Sequence, residues 1–168
     1  MTFEEIYDQN FRYVYNVIYM RVLHRETAED LTAETFTKAF KNFMNYDPER
    51  AQPVTWLCAI AINEVKSYFR KASTSREVAT DELPEVPVEE EEEGRVRTMA
   101  INREAERILS ALSDKERELV SLRLSAQLSF KEIAEMLGTT EKGATERYRR
   151  LINKCRKITE GTEKEDLL

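Results

Sequence analysis

Residues 129–158 read SFKEIAEMLGTTEKGATERYRRLINKCRKI, and the fold class follows from how this stretch divides. Ser129 caps a short helix, with Glu132 three residues on completing a capping box. Phe130, Ile133, Ala134 and Leu137 form its apolar stripe. Gly138 permits the left-handed backbone that ends a helix, and Thr139 and Thr140 are N-cap candidates for the next one. In that second helix Ala144, Tyr148, Leu151 and Cys155 recur at spacings of four, three and four, so one face is buried. Lys142, Thr145, Glu146, Arg149, Asn153 and Lys157 fall mainly on the other side. A short helix, a tight Gly turn and a basic second helix make a helix-turn-helix, whose second helix fits the DNA major groove. The alternative is an ordinary helical hairpin with a solvated basic face. Charge favours DNA: from Lys142 to Lys157 there are seven Lys or Arg and one acid, Glu146.

The remaining residues extend the helical pattern in both directions. Upstream, Ile101, Ala105, Ile108, Leu109 and Leu112 mark one helix. Ser113 and Glu116 form a capping box for a helix over 114–125 with Leu119, Val120, Leu122 and Leu124. At the N-terminus, Phe3, Ile6, Tyr7, Phe11, Val14 and Ile18 mark a helix over 2–23. Thr27 starts a second over 28–45, with Leu31, Phe36, Ala39, Phe40 and Phe43 inward. Asp47-Pro48 signals a turn, and Pro53 opens a helix over 54–71 that is apolar nearly all round through Ile62. That helix ends in Asn63, Lys66, Ser67, Arg70 and Lys71 with Tyr68 and Phe69 between them. Cations interleaved with aromatics suit single-stranded nucleic acid. They equally suit a helix C-terminus, whose dipole favours cations. The expected fold is all-α: two helical domains with no strand, 1–71 and 99–158, joined by a disordered acidic linker at 72–98 and followed by an acidic tail at 159–168.

The net charge of -6 misleads if taken whole. Residues 77–94 hold nine acids and no base, and 159–168 hold four acids and one base, whereas 95–158 hold fifteen bases and nine acids. The C-terminal helical part is thus net +6, the asymmetry of a nucleic-acid binder with acidic solvating segments. Cys58 and Cys155 sit in helical apolar patterns and read as small core residues. His24 has no Cys or His at zinc spacing, so no metal is expected. There is no Gly-rich phosphate loop and no nucleophile–base pattern, and nothing argues for an enzyme, a cofactor or a small-molecule substrate. No apolar run approaches a membrane span and Met1 opens no signal peptide, so a cytoplasmic location is the default.

Taken together, the two halves resemble an RNA polymerase sigma factor of the extracytoplasmic-function type in the sigma-70 family. AEDLTAETFTKAFKNF at 28–43 is similar to the helix by which such factors hold the polymerase clamp. TWLCAIAINEVKSYFRK at 55–71 is similar to the helix following the loop that reads the -10 element, and LSALSDKERELVSLRLSAQLSFKEIAEML at 109–137 to the domain that reads -35. The resemblance implies recruitment rather than chemistry. Asp30, Glu34 and Lys38 would contact core polymerase. Asn45, Tyr46, Asn63, Lys66, Arg70 and Lys71 would serve -10 DNA, and Lys142, Thr145, Glu146, Arg147, Arg149, Arg150 and Asn153 would serve -35. It also implies a linker threading the RNA channel and an anti-sigma partner. Departures are local. Ala33 stands where the family often has Gln. Thr145 and Glu146 replace the frequent Lys and Ser, and a Glu can accept from the cytosine amine. The alternatives are a regulator that ignores polymerase, or a sigma-like adaptor whose Glu146 spoils DNA contact.

Overall fold

The structure, a computed structural model, describes residues 1–75 and 103–166, and every regular element within them is helical. The chain forms α1 (Phe3–Val22), α2 (Arg25–Lys41), a 3-10 turn at Phe43–Asn45 and α3 (Pro53–Ser75). It continues with α4 through 103–110, α5 (Asp114–Val120) with a π turn at Ser121–Ser125, α6 (Phe130–Leu137) and α7 (Glu141–Asp166). Most of the expected linker lies outside the described residues. Its first residues, to Ser75, instead extend α3. The expected tail is likewise helical, α7 continuing through Asp166. The polar stretch beyond the packed face carries helix formers and Thr159, whose hydroxyl donates back to the Cys155 carbonyl at 3.0 Å.

Local chemistry sets the helix ends. Thr2 and Glu5, Ser113 and Glu116, and Ser129 and Glu132 each form a complete capping box, satisfying donors that a helix N-terminus leaves open. Gly138 ends α6 at φ 70° and Thr140 Oγ1 accepts from Gly143 N–H at 3.0 Å to start α7. α2 begins earlier than the expected Thr27. The His24 ring is the cap, Nδ1 accepting from Thr27 N–H at 3.2 Å. An imidazole nitrogen here does what a Ser or Asp oxygen usually does.

In the first domain α1, α2 and α3 pack around Ile6, Val14, Ile18, Leu31, Phe36, Leu57, Ala61 and Val65. Thr32 and Thr35 are buried in it, and their hydroxyls donate to the Ala28 and Leu31 carbonyls at 2.6 and 2.8 Å. The aromatics of α1 are less buried than their spacing suggests. Tyr7 and Phe11 stay partly exposed and cover Phe36, while Phe40 is largely exposed with its edge on Phe3. Small aliphatics fill the interior because three close-packed helices leave little volume between them. Burial pushes the Cys58 thiol up to about 12, as befits a core thiol.

The second domain packs α5, the π turn, α6 and α7 around Leu119, Leu122, Ile133, Ala144 and Leu151. Val17, Cys58 and Ile62 of the first domain belong to the same apolar cluster. The two domains therefore share an interface in this structure, which their separate helical patterns do not announce. Arg21 of α1 is at its centre, 2% exposed. Its guanidinium donates to both Asp114 carboxylate oxygens at 3.0–3.1 Å and to Glu118 Oε2 at 2.9 Å. Arg117 Nη1 donates to the Arg21 carbonyl at 3.4 Å, and the Tyr19 hydroxyl pairs with Glu106.

A second ion pair ties α7 to α5: Lys154 Nζ lies 2.8 Å from Glu116 Oε1. Lys154, then the Ser113 backbone N–H, hold the Glu116 carboxyl below its ordinary value. A carboxyl depressed in the folded state stabilises above its unfolded value, about 4.3, and loses that contribution as pH falls through the folded one. Glu116→Gln, whose amide oxygen can still accept from Ser113 N–H, is accordingly expected to be less stable by up to about 1 kcal/mol near neutral pH, from loss of the charged pair with Lys154. The gap to wild type should shrink as pH falls below about 4. Urea titrations along a pH series check this. A gap independent of pH would count against the ionised pair.

Candidate nucleic-acid and polymerase interfaces

On α7, Ala144 and Leu151 are buried and Tyr148 is half-buried against Phe130, ring centroids 5.4 Å apart. Tyr148 is thus a wall of a surface groove rather than a fully enclosed core ring. The groove, about 400 Å³, is lined by Arg123, Phe130, Thr145, Tyr148, Arg149, Ile152, Asn153 and Arg156. Arg123 lies 4.2 Å above the Phe130 ring and donates to the Leu128 carbonyl at 2.8 Å, so it reaches the groove in a fixed pose. Periodicity left Arg123 and Arg156 unassigned. Arg156 was legible as one α-helical turn beyond Asn153, but Arg123 depends on the π turn.

Lys142, Thr145, Arg149, Arg150 and Asn153 are exposed and Glu146 is half-exposed. Helical spacing puts Thr145, Glu146, Arg149 and Asn153 on one outward face. Arg150 flanks it. Arg147, also expected at -35, is exposed but falls seven residues before Lys154, on the helix stripe that Lys154 shares and away from Asn153. Glu146 is engaged: Arg149 Nη2 and Nε donate to its two oxygens at 2.7 and 3.2 Å, and Arg150 Nε lies at 3.5 Å. Arg149, then desolvation opposing it, leave the Glu146 carboxyl below its ordinary value, while Glu146 raises Arg149.

The first domain presents two further surfaces. Asn63, Lys66 and Arg70 are exposed on one stripe of α3 at spacings of three and four. The same stripe starts at Trp56, whose ring stacks on Tyr46 at 4.4 Å. Tyr46 in turn stacks on Phe43 at 6.4 Å and donates from its hydroxyl to the Ala51 carbonyl at 2.8 Å. Burial, then Asp47, raise its phenol. Asn45 is exposed beside this stack. Trp56 escaped the sequence reading, although the only Trp of the chain, one turn into a helix after a polar loop, was a usable signal.

Lys71 falls elsewhere. It lines a groove of about 530 Å³ between α2 and α3 with Glu34, Lys38, Lys41, Glu64, Ser67 and Tyr68. Glu64 is buried and bonds Lys38, raising the lysine. Asp30 is exposed one turn before Glu34 on α2. The structure thus brings Glu34 and Lys38 together, with Asp30 adjoining them and Lys71 across the groove.

Comparison with known proteins agrees with this architecture. Residues 6–74 match the model of Sigma-70 region 2 and residues 108–157 that of Sigma-70 region 4. The chain belongs to the sigma-70 family. It is 34% identical over 140 residues to the ECF RNA polymerase sigma factor BldN of Streptomyces coelicolor, covering 83% of this chain but 53% of BldN, so it spans about half of that relative. It is 28% identical to the RNA polymerase sigma factor YlaC of Bacillus subtilis, covering 96% of this chain and 95% of YlaC. In fold it is similar to the sigma factor RpoE of Bartonella quintana, seen in complex with the anti-sigma factor NepR, with a TM-score of 0.74, 18% identity and coverage of 94% and 96%. The sequence resemblance to the extracytoplasmic-function type is borne out by these relatives. None of the described helices of this sigma-70 family member is long and apolar enough to cross a membrane.

Proposed function

We propose that this sigma factor joins core RNA polymerase through the α2 face at Asp30, Glu34 and Lys38 and reads promoters with its two domains. The loop at Asn45–Tyr46 and the α3 stripe Asn63, Lys66 and Arg70 would hold unpaired -10 bases, with the Tyr46–Trp56 stack as an aromatic platform. The outward face of α7 enters the major groove at -35. Its location of action is the cytoplasm, with polymerase and promoter. The single observation carrying the reading is the groove on α7, where Arg123, Arg149, Asn153 and Arg156 rim an aromatic floor. Between Lys142 and Lys157 there is one acid, Glu146, and it is already paired. An anti-sigma factor, of the kind that NepR is for RpoE, is the expected inhibitor.

Two promoter elements about two duplex turns apart lie roughly 70 Å from each other. A compact chain of this length has a radius of gyration of about 15 Å. Reading both elements at once therefore requires the Arg21 interface to part.

Run-off transcription with core polymerase on a promoter library tests the whole reading. A sequence-dependent transcript is expected, and its absence with intact core binding would favour a sigma-like adaptor. One observation favours that second reading: Glu146 neutralises part of the cationic face. For the polymerase surface, Asp30→Lys with Glu34→Lys is expected to weaken association with core enzyme by tenfold or more, since reversing charges at a docking face costs several kcal/mol. Helical content should be unchanged, both residues being exposed. Undiminished core binding by the double variant would remove these residues from the interface.

A further inference from the structure

Glu146 is the one acid between Lys142 and Lys157 on α7, and its position is more specific than a screening charge requires. An arginine has five N–H donors in a planar fork. Glu146 takes two of them on one edge of Arg149, the Nε–H at 3.2 Å and one Nη2–H at 2.7 Å. The adjoining end of the fork, with one Nη1 hydrogen and the remaining Nη2 hydrogen side by side, is not used by Glu146. That end is a pair of parallel donors, the pattern that meets the O6 and N7 acceptors of guanine in the major groove. The carboxylate itself is turned inward on cations, Arg149 on one side and Arg150 Nε at 3.5 Å on the other. The three side chains together carry a net +1, so the acid does not repel the DNA backbone.

We infer that Glu146 is a positioning residue for specificity: it reads no base, but clamps the Arg149 guanidinium so that its free edge selects guanine in the -35 element. An unclamped arginine on a helix surface samples many rotamers and pairs with phosphate as readily as with a base. A clamped one has lost that freedom before DNA arrives, so less ordering is required on binding. The inference rests on the proposed entry of α7 into the major groove. It differs from the direct alternative, a carboxylate accepting from the cytosine amine, in what each variant should do.

The test uses the full chain assembled with core polymerase and a library randomised across the -35 element, with Glu146→Ala, Glu146→Gln, Arg149→Ala and the double alanine variant. Arg149→Ala is expected to lose a guanine preference at one base pair. Glu146→Ala should lose preference at that same base pair, by roughly tenfold or more, and should change nothing further in the Arg149→Ala background. Glu146→Gln keeps one acceptor and should fall between wild type and alanine. Binding to unrelated duplex should strengthen in Glu146→Ala, because Arg149 and Arg150 are released to phosphates, and the melting temperature should be unchanged. A changed preference in Glu146→Ala at a different base pair would overturn the inference in favour of direct readout, as would an intact guanine preference. Should Arg149→Ala alter no position at all, the entry of α7 into the groove fails, and the inference with it.

Discussion

Arg21→Met is expected to lower the unfolding free energy by about 3 kcal/mol and to loosen the second domain from α1. The side chain is 2% exposed and its fork serves two carboxylates on α5. Removing one member of a buried ion pair typically costs about 3–5 kcal/mol, because the partner is left charged without compensation. The lower end applies here. Asp114 is 57% exposed and rehydrates readily, whereas Glu118 is 12% exposed and does not. Most of the loss should therefore be traceable to Glu118. In the Arg21→Met background, Glu118→Gln is expected to restore part of the stability, giving a coupling that a double-mutant cycle reads directly. Arg21→Lys should restore little, since a single ammonium cannot reproduce the fork. Urea unfolding measures the energies, and solution scattering should show a larger radius for Arg21→Met. A variant as stable and as compact as wild type would mean the network does not hold the domains together.

Leu122→Ala is expected to cost about 2–5 kcal/mol, as for other enclosed leucines, whereas Leu124→Ala should stay within about 0.5 kcal/mol of wild type. Leu122 is fully buried and Leu124 is 55% exposed. Both stand in the sequence among the apolar residues of this helix, along with Leu119 and Val120. A regular α-helix would set Leu124 on the face of buried Val120, four residues earlier, but the π turn intervenes, where Ala126 N–H donates to the Ser121 carbonyl at 3.2 Å, five residues back. The wider turn changes the rotation per residue, and Leu124 leaves the packed face. Gln127 then adopts a left-handed backbone at φ 57° and Leu128 returns to the core. Thermal or urea denaturation of the two variants checks the pair. Equal losses would mean that Leu124 is as enclosed as Leu122.

Both predictions mark the boundary of what the chain states on its own. The helices, their number in each half, the capping boxes at Ser113 and Ser129, the Gly138 stop and the outward face of α7 were legible in the sequence. Each is a local or periodic signal: a cap involves residues three apart, and an α-helical face repeats every three or four. The -35 candidates Lys142, Thr145, Glu146, Arg149, Arg150 and Asn153 were readable in the same way. So was the Asn63–Lys66–Arg70 stripe. The sequence resemblance already pointed to the family. Only the tertiary structure decided the rest. Arg21 looks like any C-terminal helix cation until α5, 93 residues further on, supplies its acceptors. Lys38 and Glu64 meet across two helices, and Lys71 is drawn to their groove and away from Arg70. Trp56 joins Tyr46 through the fold of a loop. In each case the deciding energy, desolvation of a charge or contact between rings, depends on neighbours that chain spacing does not specify.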